Sequence, residues 1–104
     1  MSAQLVYVTA GNQEDAVKIG EIAVRKRLAA CANILGETTS IYWWEGEVER
    51  DREVAMILKT TAENLPALIE NIRENHPYDC PCIVALDVEK GNPDFLNFIE
   101  EETN

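Results

Sequence analysis

Hydrophobic residues recur along this chain at two spacings, and the switch between them lays out the elements. Gln4-Leu5-Val6-Tyr7-Val8-Thr9 is dense in β-branched and aromatic residues and ends at Ala10-Gly11-Asn12, which predicts a strand closed by a turn. Asn12 then reads as an N-cap, with Glu14 and Asp15 in the first turn and Arg25, Lys26 and Arg27 near the far end, as the helix dipole favours. Val17, Gly20, Val24 and Leu28 fall on one face with Ala16, Ala23 and Ala30 beside it. That pattern predicts a helix over about residues 13–30, lined with small residues that let it lie close to a sheet.

Cys31 to Leu35 is a short apolar stretch broken by Gly36. From Ser40 to Glu49 the spacing falls to two, with Tyr42, Trp44 and Val48 on one side and Ile41 and Trp43 on the other. The charged cluster Glu49-Arg50-Asp51-Arg52 reads as a turn, and Glu53 to Thr61 as the returning strand of a long hairpin. Leu65, Leu68, Ile69 and Ile72 restore helical spacing, starting between Ala62 and Asn64 with Pro66 in the first turn. That helix ends at Asn75-His76-Pro77, because the residue before proline avoids helical dihedrals. Cys82 to Val88 has few polar positions and reads as a central strand. Asn92-Pro93 opens a last helix with Phe95, Phe98 and Ile99 as its stripe.

The order β-α-β-β-α-β with a final helix predicts an α+β class: a ferredoxin-like βαββαβ sandwich with an extra C-terminal helix, in one domain over residues 1–104. One face of such a sheet lacks helices. Tyr42, Trp43 and Trp44 add more aromatic surface than a chain of 104 residues leaves in water as a monomer, which predicts self-association.

Composition narrows the function. Asp and Glu number 19 against 9 Lys and Arg, a net charge of -10 that repels phosphate backbones and argues against a nucleic-acid partner. No apolar run approaches the roughly 20 residues that span a bilayer, so no membrane partner is expected. Met1-Ser2-Ala3-Gln4 lacks the basic and small-residue features of a signal peptide. The expectation is therefore a cytoplasmic protein with its three cysteines reduced. Nothing resembles a Ser-His-Asp order, a glycine-rich phosphate loop or a Cys-x-x-Cys motif, so no enzyme is expected.

The candidate chemistry sits in His76-Pro77-Tyr78-Asp79-Cys80-Pro81-Cys82, which holds the only histidine and two of the three cysteines. In an extended segment Cys80 and Cys82 fall on one side, about 6.5 Å apart along the chain. With His76 as third donor they could share a soft ion such as Cu(I) or Zn(II). The plainer readings are a histidine that caps the helix C-terminus and a Cys82 that acts as a small core hydrophobe. Cys31, after Ala29-Ala30, reads as core.

Four separated motifs, in order, resemble the CutA divalent-cation-tolerance proteins. They are Arg27-Leu28-Ala29-Ala30-Cys31-Ala32-Asn33-Ile34, then Ser40-Ile41-Tyr42-Trp43-Trp44-Glu45-Gly46-Glu47. Glu53 with Met56-Ile57-Leu58-Lys59-Thr60 follows, and then His76-Pro77-Tyr78 before a proline and an aliphatic strand. The similarity runs from Val6 to Phe98. It implies a homotrimer of ferredoxin-like subunits joined by strand pairing, and a tie to tolerance of copper or another divalent metal ion.

In some bacterial members of the family a cysteine before the Thr-Ala of the first strand and a second histidine before His-Pro-Tyr are candidate ligands. Those positions are Val8 and Asn75 here, which leaves His76 of that set, while Cys80 and Cys82 are this chain's own departure. Lys59, among Met56, Ile57 and Leu58, is expected to be partly buried and paired with Glu53 or Asp79. With Glu53, Tyr78 and Trp44 it could line an inter-subunit cleft for a small ligand. Three functions are thus in play: a trimer of metal tolerance that binds the ion, a regulatory trimer that senses a small molecule in its clefts, and a scaffold without a ligand.

Overall fold

The computed structural model describes residues 2–104; Met1, at the head of the N-terminal stretch considered above, lies outside them. The elements follow as β1 (Ala3–Ala10), α1 (Gln13–Arg25), β2 (Cys31–Trp44), β3 (Glu47–Thr61), α2 (Leu65–Asn75), β4 (Ile83–Val88) and α3 (Pro93–Glu102). The strands make one antiparallel sheet in the order β2-β3-β1-β4. This is the ferredoxin-like sandwich expected from the element order, with α3 added. No helix among the described residues is long and apolar enough to cross a membrane.

The core lies between the sheet and one helical layer. Val6 and Val8 of β1 and Val54, Met56 and Leu58 of β3 meet Ala16, Ile19 and Ala23 of α1 and Leu68 and Ile72 of α2, all buried. Gly20 presses against Ala32, where an added Cβ would stand 3.1 Å from the alanine methyl, so the helix lies as close as the small residues suggested. The buried face of α1 is Ala16, Ile19, Gly20 and Ala23, and Val17 is left exposed at its margin.

On the opposite face α3 covers one end of the sheet, with Ile99 meeting Ala3 and Ala30. The rest of that face carries Leu5, Tyr7 and Ile57, half-buried, and Val84 and Leu86, exposed, without a helix over them.

Four boundaries differ from the sequence reading, each for a local reason. Helix α1 stops at Arg25 rather than near residue 30, because Arg27 takes a left-handed conformation with φ 59. Its N–H donates to the Val24 carbonyl and the Leu28 N–H donates to the Ala23 carbonyl. Those two bonds are a Schellman ending built without the glycine that announces one.

Gly36 does not break a strand; β2 runs through it as a bulge, with Leu35 left without a partner between Ile34 and Gly36. The hairpin turns at Glu45-Gly46, both at positive φ as a type I′ loop requires, and not at the charged cluster. Arg50, Asp51 and Arg52 instead pair with Ile41, Ser40 and Thr39 inside the ladder. Trp43 consequently faces Val48, which joins Ile41 and Trp43 on one side. Finally, β4 begins at Ile83 and is an edge strand: Ile83 and Ala85 pack on the core, while Val84 and Leu86 mark uncovered surface rather than a central position.

The two left-handed positions make a paired prediction. Gly46→Ala lowers stability by about 1–2 kcal/mol, the cost of placing a Cβ in that region. Arg27→Gly relieves the same cost while losing an exposed ion pair with Glu102, so it changes stability by less than about 1 kcal/mol. Urea unfolding midpoints check both; a Gly46→Ala midpoint equal to wild type would contradict the loop assignment.

Candidate functional site

Helix α2 delivers His76 to the end of β1. The helix ends there because Pro77 forces its predecessor out of helical dihedrals, and His76 is extended at φ -90 and ψ 132. Lying four residues past buried Ile72, the ring turns inward and is only 7% exposed. Its Nε2 is 2.8 Å from the Thr9 carbonyl oxygen, and its Nδ1 is 3.1 Å from the Tyr78 backbone nitrogen. A carbonyl only accepts and an amide N–H only donates, so Nε2 carries the proton and Nδ1 offers its lone pair. Both ring nitrogens are engaged by backbone.

The segment after His76 is therefore held at both ends to β1. His76 grips Thr9, and Ile83 pairs with Val8. Between these anchors Tyr78 packs against the imidazole, ring centroids 4.6 Å apart, and lays its hydroxyl over Gly11, where a Cβ would stand 3.2 Å away. Burial pushes the Tyr78 hydroxyl above its ordinary pKa, and the Glu53 carboxylate, then Asp51 and Asp15, push it further. Cys80 and Cys82 lie on the outside of this segment, both exposed free thiols, while Cys31 is half-buried in the sheet.

This geometry tests the predicted metal set. A metal at His76 would have to displace the bond to Thr9, which leaves a buried carbonyl unpaired, or the partly buried bond from the Tyr78 amide. Among the described residues no group of three or more His, Cys, Asp or Glu is gathered to hold a metal ion. Within one chain, His76, Cys80 and Cys82 are not a three-donor centre.

The predicted cleft residues also separate within one chain. Glu53 and Tyr78 adjoin. Trp44 pairs with Glu47 at the hairpin tip, six residues and about 20 Å along β3 from Glu53. Lys59 lies as far in the other direction. Its Nζ donates to Asn33 Oδ1 at 2.6 Å and sits 5.5 Å from the Phe95 ring centroid. Its partner is thus an amide and a π-face rather than Glu53 or Asp79, because β3 points it at β2 and α3.

Two contacts escaped the sequence reading. The His76–Thr9 bond spans 67 residues, and the only hint of it was a histidine continuing an apolar stripe. Tyr42 donates to the Asp51 carboxylate across the hairpin, a diagonal pair hidden by placing the turn at the charged cluster. That bond, then the surrounding Asp51, Glu53 and Glu49 charges, push the Tyr42 pKa up to about 12.

A ferredoxin-like sandwich with an uncovered sheet face and a long aromatic hairpin defines a class of small α+β proteins. Residues 4–102 match the family described as CutA1 divalent ion tolerance protein. The divalent-cation tolerance protein CutA of Pyrococcus horikoshii is 46% identical over 99 residues, which cover 95% of this chain and 96% of that protein. The mouse protein CutA is 43% identical over 98% of this chain, which spans only 58% of the mouse protein's length. The crystal structure of the Thermus thermophilus divalent cation tolerance protein superposes with a TM-score of 0.96 at 41% identity, covering 98% of this chain and 99% of that one. The Archaeoglobus fulgidus CutA structure, described as a periplasmic divalent cation tolerance protein, gives 0.95 at 37%, covering 98% and 99%. This chain belongs to the CutA divalent-ion-tolerance family.

Two outcomes follow from the site. His76→Ala strands the buried Thr9 carbonyl and frees the Tyr78 amide, and it lowers stability by about 1–3 kcal/mol, read by urea unfolding; a loss under about 0.5 kcal/mol would contradict the clamp. In a spectrophotometric titration Tyr42 ionises near pH 12, and Asp51→Asn moves that transition down. A raised folded pKa means stability present below pH 10 and lost as pH rises through the folded value, so Tyr78→Phe flattens the alkaline decline.

Proposed function

We propose that this protein serves divalent-cation tolerance as a homotrimer that meets the ion directly. The observation that carries the assembly is the row Val84 and Leu86 on edge strand β4, 56% and 66% exposed, beside an open sheet face. The β2–β3 hairpin supplies a second apolar surface, with Trp43 74% exposed and Ile41 and Val48 beside it. One copy's hairpin laid over the next copy's β4 edge is a heterologous contact, and such contacts close into rings. Three copies is the ring the family resemblance implies. Unpaired N–H and C=O groups on the β2 and β4 edges would pair across the same contact.

The metal side of the reading rests on the family and on the acidic surface that gathers cations. In this reading the protein works in the cytoplasm, where its exposed thiols stay reduced.

Light scattering on the purified chain is expected to give three times the single-chain mass at micromolar concentration. Val84→Glu with Leu86→Glu converts it to monomers that keep their circular dichroism. A wild-type protein that runs as a monomer would overturn the assembly.

A further inference from the structure

Cys80 and Cys82 are two exposed free thiols that no contact within the chain employs. They stand on the solvent side of a six-residue connection, 77–82, whose ends are fixed to neighbouring residues of one strand: His76 to Thr9 and Ile83 to Val8. Pro77 and Pro81 remove most of the remaining backbone freedom, and Pro81 lies between the two cysteines. Residues two apart have Cα atoms at most roughly 7 Å apart in any chain, a separation that two sulfurs on one side of the segment can bridge through a shared ion. Neither thiol is in a disulfide, and both are exposed.

We infer that Cys80 and Cys82 form a two-thiolate site for a soft monovalent cation of the Cu(I) class, with His76 as a structural anchor outside the coordination. The number of donors selects the ion. Zinc in protein sites takes four ligands, or three with a water, and the described residues gather no group of three candidates. Thiolates are soft ligands that select Cu(I), which accepts two-coordination. Each sulfur binds as thiolate, so uptake releases a thiol proton where one is present; no electron moves, since the ion enters already reduced. With only two protein donors at an exposed position, the ion stays open to an incoming thiol, which suits exchange rather than storage. The inference goes beyond the proposed function: it adds a site for an ion of different charge and rests neither on the divalent ion nor on the trimer.

The test titrates the fully reduced protein, without oxygen, against the Cu(I) complex of a coloured chelator. The wild-type chain is expected to withdraw one Cu(I) per chain, with a new ultraviolet thiolate-to-metal band. Cys80→Ser and Cys82→Ser each abolish the withdrawal while keeping the wild-type thermal transition, and Cys31→Ser retains it. Zn(II) offered to the wild-type chain in the same format is left with the chelator. Failure to withdraw Cu(I), withdrawal that both serine variants keep, loss on Cys31→Ser alone, or equal capture of Zn(II) would each overturn the site. Light scattering on the same samples separates the two proposals: a monomer that binds Cu(I) refutes the trimer alone, and a trimer that binds none refutes this site alone.

Discussion

An imidazole with a fixed tautomer holds the functional corner of this protein together. His76 closes α2, caps the carbonyl that Thr9 presents at the end of β1, and receives the Tyr78 amide that starts the run into β4. Two segments 67 residues apart meet on one ring, which also ties down its own chain two residues further on. The bond to Thr9 satisfies a carbonyl that burial would otherwise leave unpaired, a loss of about 1–3 kcal/mol, and the bond from the partly buried Tyr78 amide adds to it. The same bonds remove the only histidine from metal chemistry within the chain. A residue that looks like a ligand by type is made structural by its surroundings, and the ligand role passes to thiols that have nothing else to do.

The second constraint is one-sidedness. α1 and α2 cover one face of the sheet, and α3 covers an end of the other. What remains is apolar: Leu5, Tyr7, Ile57, Val84 and Leu86, with the Trp43 hairpin projecting beyond the helices. Lys59 is the one cation on that face of β3, and it is held by Asn33 and the Phe95 ring, not by a carboxylate. An amide and an aromatic face satisfy an ammonium without adding a second charge to an apolar surface.

Most of the fold was legible in the residues. Hydrophobic period gave every element, Asn12 and Asn92 proved to be side-chain N-caps, and Pro66 and Pro93 sat in first turns as expected. The misplacements fell where chemistry departs from its usual signal. A Schellman ending with arginine in place of glycine hid the end of α1. A charged run that is a solvated strand looked more like a turn than Glu45-Gly46 did. An apolar edge strand looked central because Val84 and Leu86 are apolar although they are exposed. At the site, the sequence could place His76, Cys80 and Cys82 near one another, but not the Thr9 carbonyl, since a contact across 67 residues leaves no local trace.

The central claim is that His76 is a clamp. The most direct measurement is long-range proton–nitrogen correlation NMR of the His76 ring in the reduced protein at mildly alkaline pH, before and after addition of Cu(I). The account predicts a single Nε2–H tautomer with slow exchange of that proton, unchanged by the ion. A ring protonated at Nδ1, averaging between tautomers, or shifting a nitrogen on metal addition would contradict it.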